Sequence, residues 1–255
     1  MIAICLILFA YHLHPKYKLI VAANRDEFYQ RPTAPAHFWE DEPEILAGRD
    51  LEKMGTWMGV TKSGRFSALT NYRDPKEMTA GKRTRGELVS DALKYNGDFI
   101  EYMKSLARNN DSYPGYNLLA SDGDQLYYYS NVGQELKKVT PGIYGVSNHL
   151  LNTEWPKVQM GKSGLTEIIN NKQMDLVEEL FTLLQKTYQA PDEKLPQTGV
   201  SLELERMLSP MFIKSENYGT RSSTILLKSD SEMQYVERVF ANNEVKDQNY
   251  TFKWA

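Results

Sequence analysis

The sequence predicts an α+β fold in which antiparallel β-sheet is covered by helices. One observation is the order of the expected elements, which runs strands, two helices, strands, two helices and strands. A second is that tight turns, such as those at 62–64 and 122–124, join consecutive strands, which is typical of antiparallel pairing. The pattern is compatible with one sheet or with two sheets packed face to face. The 255 residues, 41% hydrophobic and 25% charged, are expected to form a single domain over 1–255.

The first 28 residues are expected to form a β-hairpin. An apolar run at 2–11 and a second one at 19–23 flank a polar turn that contains Pro15. The chain has one cysteine, Cys5, and it lies near the start of the first run. The second run ends in four polar residues, 24–27.

The remaining elements follow from hydrophobic periodicity and from turn and capping signals. Residues 31–44 contain three prolines and several aromatic residues and are expected to form an irregular loop. A capping box at 84–87 and Asp98 are expected to begin the first two helices. The expected helices are 84–96, 98–109, 154–170, 174–188 and 202–208. The expected later strands are 55–61, 65–71, 116–121, 125–130, 136–139, 142–148, 222–228, 233–241 and 249–254.

Composition and charge argue against several classes of function. The net charge is −3, so no basic surface for nucleic acid is expected. The N-terminal apolar run is too short to span a membrane and lacks the flanks of a secretory signal. A single cysteine suits a reducing compartment, and we expect a cytoplasmic protein.

The expected hairpin places the Cys5 thiol beside the charged residues that end the neighbouring strand. A thiol reacts as a nucleophile only in its thiolate form, which nearby cations and hydrogen-bond donors favour. Cys5 is therefore a candidate nucleophile, and Arg25 is a candidate cation beside it. The alternative is that Cys5 is a small buried hydrophobic residue and that 24–27 form a solvated strand end.

Three expected strands end on asparagine, at Asn24, Asn71 and Asn148. Asparagine is depleted in strands, and its amide is a typical oxyanion donor in acyl transfer. The alternative is that these asparagines are ordinary turn residues. Arg221, at the start of a late strand, either binds a substrate carboxylate, supports the thiolate, or is a surface arginine.

The histidines are candidates for a base and for metal ligands. His149 directly follows Asn148 and is a candidate base or substrate contact. His12 and His14 would share one face of a strand, but no further ligand occurs at a supporting spacing. We therefore expect no metal site and no cofactor. The sequence contains neither a glycine-rich phosphate loop nor a Gly-x-Ser-x-Gly elbow.

Seven segments, in order along the chain, carry a resemblance to a known family. They are Cys5-Leu-Ile-Leu-Phe-Ala10, Ala22-Ala-Asn-Arg-Asp-Glu-Phe-Tyr29 with Arg31-Pro32, Ala47-Gly-Arg-Asp50, Gly55-Thr-Trp57, Thr70-Asn-Tyr-Arg-Asp74, Gly145-Val-Ser-Asn-His-Leu150 and Tyr218-Gly-Thr-Arg-Ser-Ser-Thr224. Together they resemble the NRDE-motif proteins, the Transport and Golgi organisation protein 2 family. That family has been linked to secretory organisation, haem trafficking and lipid metabolism.

NRDE proteins in turn resemble cysteine-type N-terminal nucleophile hydrolases such as bile salt hydrolases and penicillin V acylases. The resemblance implies a four-layer αββα sandwich and hydrolysis of a C–N amide bond in a small substrate. In those enzymes the cysteine begins the mature chain, and its α-amine acts as the base for its own thiol. The implied roles are nucleophile for Cys5, orientation of amine and thiol for Arg25 and Asp26, oxyanion or substrate contacts for Asn71 and Asn148, a distal arginine for Arg221, and substrate contacts for Asn24, Glu27 and His149.

This sequence departs from that pattern because residues 1–4 precede Cys5. Autocatalytic removal of the segment, or a different start, would expose the α-amine; otherwise Cys5 is internal and the amine-base mechanism is absent. Asp26 and Glu27 could exchange roles, because the alignment around them is ambiguous by one residue. A competing hypothesis is a non-catalytic binding or trafficking protein for haem or an acyl lipid, although the sequence has no Cys-x-x-Cys-His motif. The expected partner is a small amide substrate or an apolar ligand, with no nucleic acid and no membrane span.

Overall fold

The computed structural model describes residues 4–77, 79–171, 175–241 and 244–254. The strands are β1 (Ile4–Tyr11), β2 (Leu19–Phe28), β3 (Thr33–Phe38), β4 (Ile45–Asp50), β5 (Met58–Thr61), β6 (Phe66–Asn71), β7 (Tyr116–Ser121), β8 (Leu126–Ser130), β9 (Glu135–Lys138), β10 (Gly142–Val146), β11 (Tyr218–Lys228), β12 (Glu232–Ala241) and β13 (Glu244–Lys253). The helices are α1 (Gly86–Lys94), α2 (Phe99–Arg108), α3 (Pro156–Asn170), α4 (Leu176–Leu184) and α5 (Leu202–Leu208), and short 3₁₀ turns occur at Asn110–Ser112 and Asp192–Lys194.

The strands form two sheets. The first has the order β10-β1-β2-β11-β12-β13. The second has the order β3-β4-β5-β6-β7-β8-β9, which follows the chain, with α1 and α2 inserted between β6 and β7. Neighbouring strands pair antiparallel in both sheets, which confirms the prediction made from the tight turns. The choice between one sheet and two, which the sequence pattern left open, is decided in favour of two.

The two faces of β1 show how the layers are built. Side chains alternate along a strand, so Ile7, Phe9 and Tyr11 enter the apolar core between the two sheets. Leu6 and Leu8 point the other way and pack with residues of α3 and α4. A third apolar cluster lies between the second sheet and the helices α1 and α2. The layers are therefore helices, sheet, sheet, helices, which confirms the αββα architecture.

Several predicted elements have the expected bounds. Helix α5 covers Leu202–Leu208, and the Asp98 carboxylate accepts a hydrogen bond from the Ile100 amide at 3.0 Å to cap α2. The first residue of the helix expected at 174–188 lies outside the described residues, and α4 covers Leu176–Leu184. No helix in the described ranges is long and apolar enough to cross a membrane.

Two local expectations are wrong. Within the supposed loop at 31–44, Thr33–Phe38 forms β3, which tolerates Pro35 because it is an edge strand. The capping box does not form, since α1 begins at Gly86 and has no side-chain cap. The Glu87 carboxylate, expected to reach back along the chain, instead accepts a hydrogen bond from the Tyr113 hydroxyl at 2.6 Å. Both outcomes depend on contacts outside the local segment, with β4 for β3 and with Tyr113 for Glu87.

The inter-sheet core gives a stability prediction. Phe9 is fully buried and its ring stacks on that of Tyr144, with 4.9 Å between centroids. Phe9→Ala is expected to lower the free energy of unfolding by about 3–5 kcal/mol, because it leaves a cavity between the sheets. Urea unfolding measures this, and exposed Val245→Ala is the control, with an expected change within about 0.5 kcal/mol. Equal losses in the two variants would contradict the assignment of the core.

Candidate functional site

A pocket of about 440 Å³ lies at the ends of β1, β2 and β6, beside the start of α1. Five of the nine predicted site residues line it, namely Cys5, Arg25, Asp26, Glu27 and Asn71. The other four, Asn24, Asn148, His149 and Arg221, are not among its lining residues. The sequence-predicted residues therefore divide into a group at the pocket and a group behind or beside it.

Cys5 and Arg25 lie side by side because they are paired residues in the β1–β2 ladder. By strand alternation both point toward the space between the sheets, where Trp57 lies. The Arg25 guanidinium carbon is 4.2 Å from the centroid of the Trp57 ring, and one guanidinium nitrogen is 3.8 Å from a Glu27 carboxylate oxygen. Arg25 is only 6% exposed, so the aromatic face and the carboxylate together hold a buried cation next to the thiol.

The thiol of Cys5 is protonated near neutral pH in the chain as described. The residue is 9% exposed, and burial is the main cause that raises the pKa of this thiol to about 12. The Asp26 carboxylate raises the pKa further, whereas Arg25 lowers it. With residues ahead of Cys5 in place, the cation beside it does not outweigh desolvation, and the thiolate is scarce.

Asp26 follows Arg25 and points to the opposite face of β2, toward the helices. The Thr220 hydroxyl donates to its Oδ1 at 2.6 Å, whereas Oδ2 is buried and has no hydrogen-bond partner among the described residues. Burial raises the pKa of Asp26, and the nearby Lys157 ammonium opposes that rise. Asp26 therefore has one buried carboxylate oxygen without a described partner, at the end of β2 and next to Arg25, the residue that pairs with Cys5.

Lys157 is the buried cation behind Asp26. It lies on α3, is 2% exposed, and its Nζ donates to the Leu208 carbonyl at 3.0 Å. Burial and the Arg73 guanidinium lower the pKa of this lysine, while Asp26 raises it. An acid and a base thus share one desolvated region, and each favours the charged form of the other.

Asn24 serves as an internal clamp. Its Nδ2 donates to the carbonyls of Leu184 and Met211 at 3.0 and 2.8 Å, and its Oδ1 accepts from the Ser223 hydroxyl at 2.6 Å. All of these groups are buried. The side chain joins β2 to the end of α4 and to β11, and these bonds engage both ends of its amide.

The other two strand-terminal asparagines connect the strand ends around the pocket. Asn71 ends β6 and lines the pocket, and its carbonyl accepts from Asn148 Nδ2 at 2.9 Å. The neighbouring Ser147 hydroxyl donates to the carbonyl of Cys5 at 2.9 Å. Asn148 and Ser147 therefore tie the end of β10 to both β6 and β1, which fixes Asn71 relative to Cys5.

Arg221 and His149 are engaged elsewhere. Arg221 is the extra residue of a β-bulge in β11, and its Nη1 donates to the carbonyls of Phe28 and Arg31. His149 Nδ1 is 2.8 Å from the Thr153 hydroxyl, and burial lowers the pKa of the ring. Neither residue lines the pocket that contains Cys5.

Three residues of the site were missed by sequence reasoning. Trp57 lies in one of the seven segments that carry the family resemblance, but no pattern in the sequence indicated a role for it. Lys157 lies on the buried face of α3, four and eight residues before Gly161 and Leu165. A lysine on the apolar face of a predicted helix is the sequence signal that could have identified it. Arg85 also lines the pocket, but the sequence pattern assigned it to a capping box.

The fold and the site define a class of protein: an αββα sandwich whose single cysteine pairs across two strands with an arginine that an aspartate follows. The family model described as Transport and Golgi organisation 2 matches residues 4–242, and the chain belongs to this family. The human Transport and Golgi organization protein 2 homolog is 35% identical over 262 residues, covering 94% of this chain and 95% of the relative. The Drosophila melanogaster protein of that name is 29% identical over 263 residues, covering 91% of each chain.

Two solved structures resemble this chain at much lower sequence identity. One is a mutant of conjugated bile acid hydrolase from Clostridium perfringens, with a TM-score of 0.48 and 12% identity over 99% of this chain and 97% of that one. The other is a Caenorhabditis elegans ortholog of N-acylethanolamine-hydrolyzing acid amidase, with a TM-score of 0.49 and 8% identity over 88% of this chain and 92% of that one. Both scores lie below 0.5.

The clamp formed by Asn24 is testable through stability. Asn24→Ala is expected to lower the free energy of unfolding by about 2 kcal/mol or more, because two buried carbonyls and one hydroxyl lose their partner. Urea unfolding gives the value, and Asn96→Ala at an exposed position is the matched control. A loss no larger than that of Asn96→Ala would show that the clamp contributes nothing.

The state of the thiol is testable by alkylation. Because the pKa of Cys5 is about 12, iodoacetamide at pH 7 should label the folded chain with residues 1–4 present at least about a hundredfold more slowly than the urea-unfolded chain. Raising the pH should increase the folded-state rate about tenfold per unit, because each unit multiplies the thiolate fraction. Intact mass reports the reaction without ambiguity, since Cys5 is the sole cysteine. Equal rates for folded and unfolded protein would contradict the burial argument.

Proposed function

We propose that this protein hydrolyses a C–N amide bond of a small substrate, with Cys5 as the nucleophile. The observation that carries the proposal is that Cys5 shares one pocket with Arg25, Asp26 and Asn71. These are the residues to which the resemblance to N-terminal nucleophile hydrolases assigns the chemistry. A pocket of about 440 Å³ is of a size that suits a small molecule.

The proposed base is an α-amine at Cys5, formed when the chain begins at that residue. An α-amine has a pKa near 8, so its neutral form is available close to neutral pH. The peptide nitrogen of Cys5 lies in the ladder opposite the end of β2. The unpartnered Oδ2 of Asp26 is a suitable acceptor for one proton of that amine, and this would orient it toward the thiol.

The reaction then proceeds in two balanced steps. The amine takes the thiol proton, the sulfur attacks the substrate carbonyl carbon, and the C–N bond breaks as the amine returns the proton to the leaving nitrogen. Water next attacks the acyl-Cys5 thioester while the α-amine accepts a proton from it. The C–S bond breaks, the carboxylic acid leaves, and the amine returns that proton to the Cys5 thiolate. Asn71, held by Asn148, is the proposed donor to the oxyanion in both steps.

We also propose that the protein acts in a reducing compartment. Catalysis requires a reduced thiol, and the chain has one cysteine and therefore no internal disulfide to maintain. A reducing compartment such as the cytoplasm meets that requirement.

The test compares a chain that begins at Cys5 with the chain that retains residues 1–4, on a panel of N-acyl amides. Only the former is expected to release the amine, and an acyl adduct on Cys5 should be visible by intact mass. Cys5→Ala should abolish turnover, and Asn71→Ala should lower kcat about a hundredfold if Asn71 donates to the oxyanion. Arg108→Gln, on the exposed end of α2, is the control and should not change the rate.

The opposite result would support a second candidate, a binding or trafficking protein for haem or an acyl lipid. Its supporting observation is that the Cys5 thiol is buried and that burial raises its pKa, which leaves little thiolate near neutral pH. If no chain cleaves any amide, and an acyl lipid binds equally well to the wild type and to Cys5→Ala, the hydrolase proposal is rejected in favour of binding.

A further inference from the structure

We propose that the substrate carries an anionic group, a carboxylate or a phosphate, and that Arg85 binds it. The inference rests on the proposed function, because it names the class of substrate for the same pocket. Two observations support it: most charged side chains on the pocket wall are cations, and in the described part of the chain Arg85 lacks the carboxylate partner that most of the other cations have.

Cationic side chains outnumber carboxylates on the pocket wall by six to three. The carboxylates are Asp26, Glu27 and Asp50. The cations are Arg25, Arg31, Lys53, Lys82, Arg83 and Arg85. A cleft lined mainly by one sign of charge concentrates ligands of the opposite sign.

Most of these cations already have a carboxylate partner. Glu27 lies 3.8 Å from both Arg25 and Arg31, and Arg31 also makes a 2.7 Å contact with Asp50. These pairs hold the arginines of the inner wall in place. They place a carboxylate beside each of these two arginines, which would repel a ligand anion there.

The segment before α1 contains two further pairs. Lys82 lies 3.7 Å from Glu77, and Arg83 pairs with Glu87. Both cations are therefore balanced by carboxylates that do not line the pocket. Their neighbour in sequence, Arg85, is different.

Arg85 has no carboxylate within 4.0 Å among the described residues, although its side chain is partly buried. Among the described residues, the Arg85 side chain makes one hydrogen bond, in which Nη1 donates to the Gly115 carbonyl at 3.0 Å. A guanidinium has five N–H donors, so most of its donors remain for a ligand. Burial lowers the pKa of Arg85 and the Glu77 carboxylate opposes that shift, but no described carboxylate lies within 4.0 Å as a directly paired counter-ion.

An anionic substrate group would supply that counter-ion. A carboxylate or phosphate can accept two parallel N–H bonds from one guanidinium, a geometry that gives both affinity and orientation. The helix α1 begins at Gly86, directly after Arg85, and the positive end of its dipole favours an anion at the same point. Lys53, on the pocket wall and without a carboxylate within 4.0 Å in the described ranges, adds a second positive charge.

Arg85 thereby takes the carboxylate-binding role that the sequence pattern offered as one alternative for Arg221. Arg221 donates to two main-chain carbonyls beside the β-bulge and does not line the pocket. Two of the pocket's carboxylates, Asp26 and Glu27, are on β2 beside Cys5. A bound anion would avoid them and lie toward α1, which directs the neutral amide of the substrate toward the thiol.

The test measures binding by calorimetry with the full chain carrying Cys5→Ala, so that turnover cannot interfere. The probes share one acyl group: N-butanoylglycine, N-butanoyl-phosphoethanolamine and neutral N-butanoylglycinamide. At low salt, at least one anionic probe is expected to bind about tenfold or more tightly than the neutral one, and the preference should shrink as salt is added. The carboxylate and phosphate probes distinguish the two sources of anion.

Variants assign the preference to a residue. Arg85→Gln should remove the advantage of the anionic probe, Arg85→Lys should retain part of it, and Arg108→Gln should leave it intact. Circular dichroism confirms that each variant is folded. The inference is overturned if the neutral probe binds as tightly as both anions, if neither anion binds, or if Arg85→Gln keeps the preference.

The two proposals fail separately. An anion preference that depends on Arg85, without amide cleavage by any chain that begins at Cys5, keeps the anion site and rejects the hydrolase. Amide cleavage that is equally fast for neutral and anionic substrates keeps the hydrolase and rejects the anion site.

Discussion

The register between β1 and β2, which sets Cys5 opposite Arg25, is the constraint on which the rest of the site depends. Because side chains alternate along a strand, this register sends Cys5 and Arg25 toward the space between the sheets. Asn24 and Asp26 point the other way, toward the helices. A shift by one residue would exchange the two faces and bury the wrong set of polar groups. The apolar residues of the same strands, which fill a core on each face, hold the register in place.

Burial of charge is the second feature of the site. Behind the pocket, Arg73 makes a 2.6 Å contact with Glu205, and Lys157 and Asp26 lie in the same desolvated region. A buried ion is costly without a partner, so these groups hold one another in place. The main chain of Arg73 also donates to the carbonyl of Asn148 at 2.8 Å. The buried charges therefore support the strand ends that form the pocket wall.

The thiol and the proposed anion site have opposite electrostatic requirements, although Cys5 and Arg85 line the same pocket. The thiolate needs a nearby cation and few carboxylates, and Arg25 meets the first need while Asp26 works against it. A substrate anion close to the sulfur would raise the thiol pKa further, because like charges repel. Binding that anion at Arg85, beside the start of α1, would pair its negative charge with a cation. In the proposed arrangement Arg25 would support the nucleophile and Arg85 would bind the substrate anion.

The sequence by itself determined the local features of this protein: the N-terminal hairpin, the bounds of α5, the cap at Asp98, the lone Cys5 and the segments that mark the family. These follow from strand periodicity, turn residues and capping, which act over a few residues. Only the tertiary structure decided that there are two sheets, that Asn24 clamps carbonyls 160 and 187 residues away, and that Arg85 rather than Arg221 lines the pocket. The physical reason is that partners of a buried polar group are chosen by long-range packing. No local pattern records which distant carbonyl or carboxylate will arrive beside it.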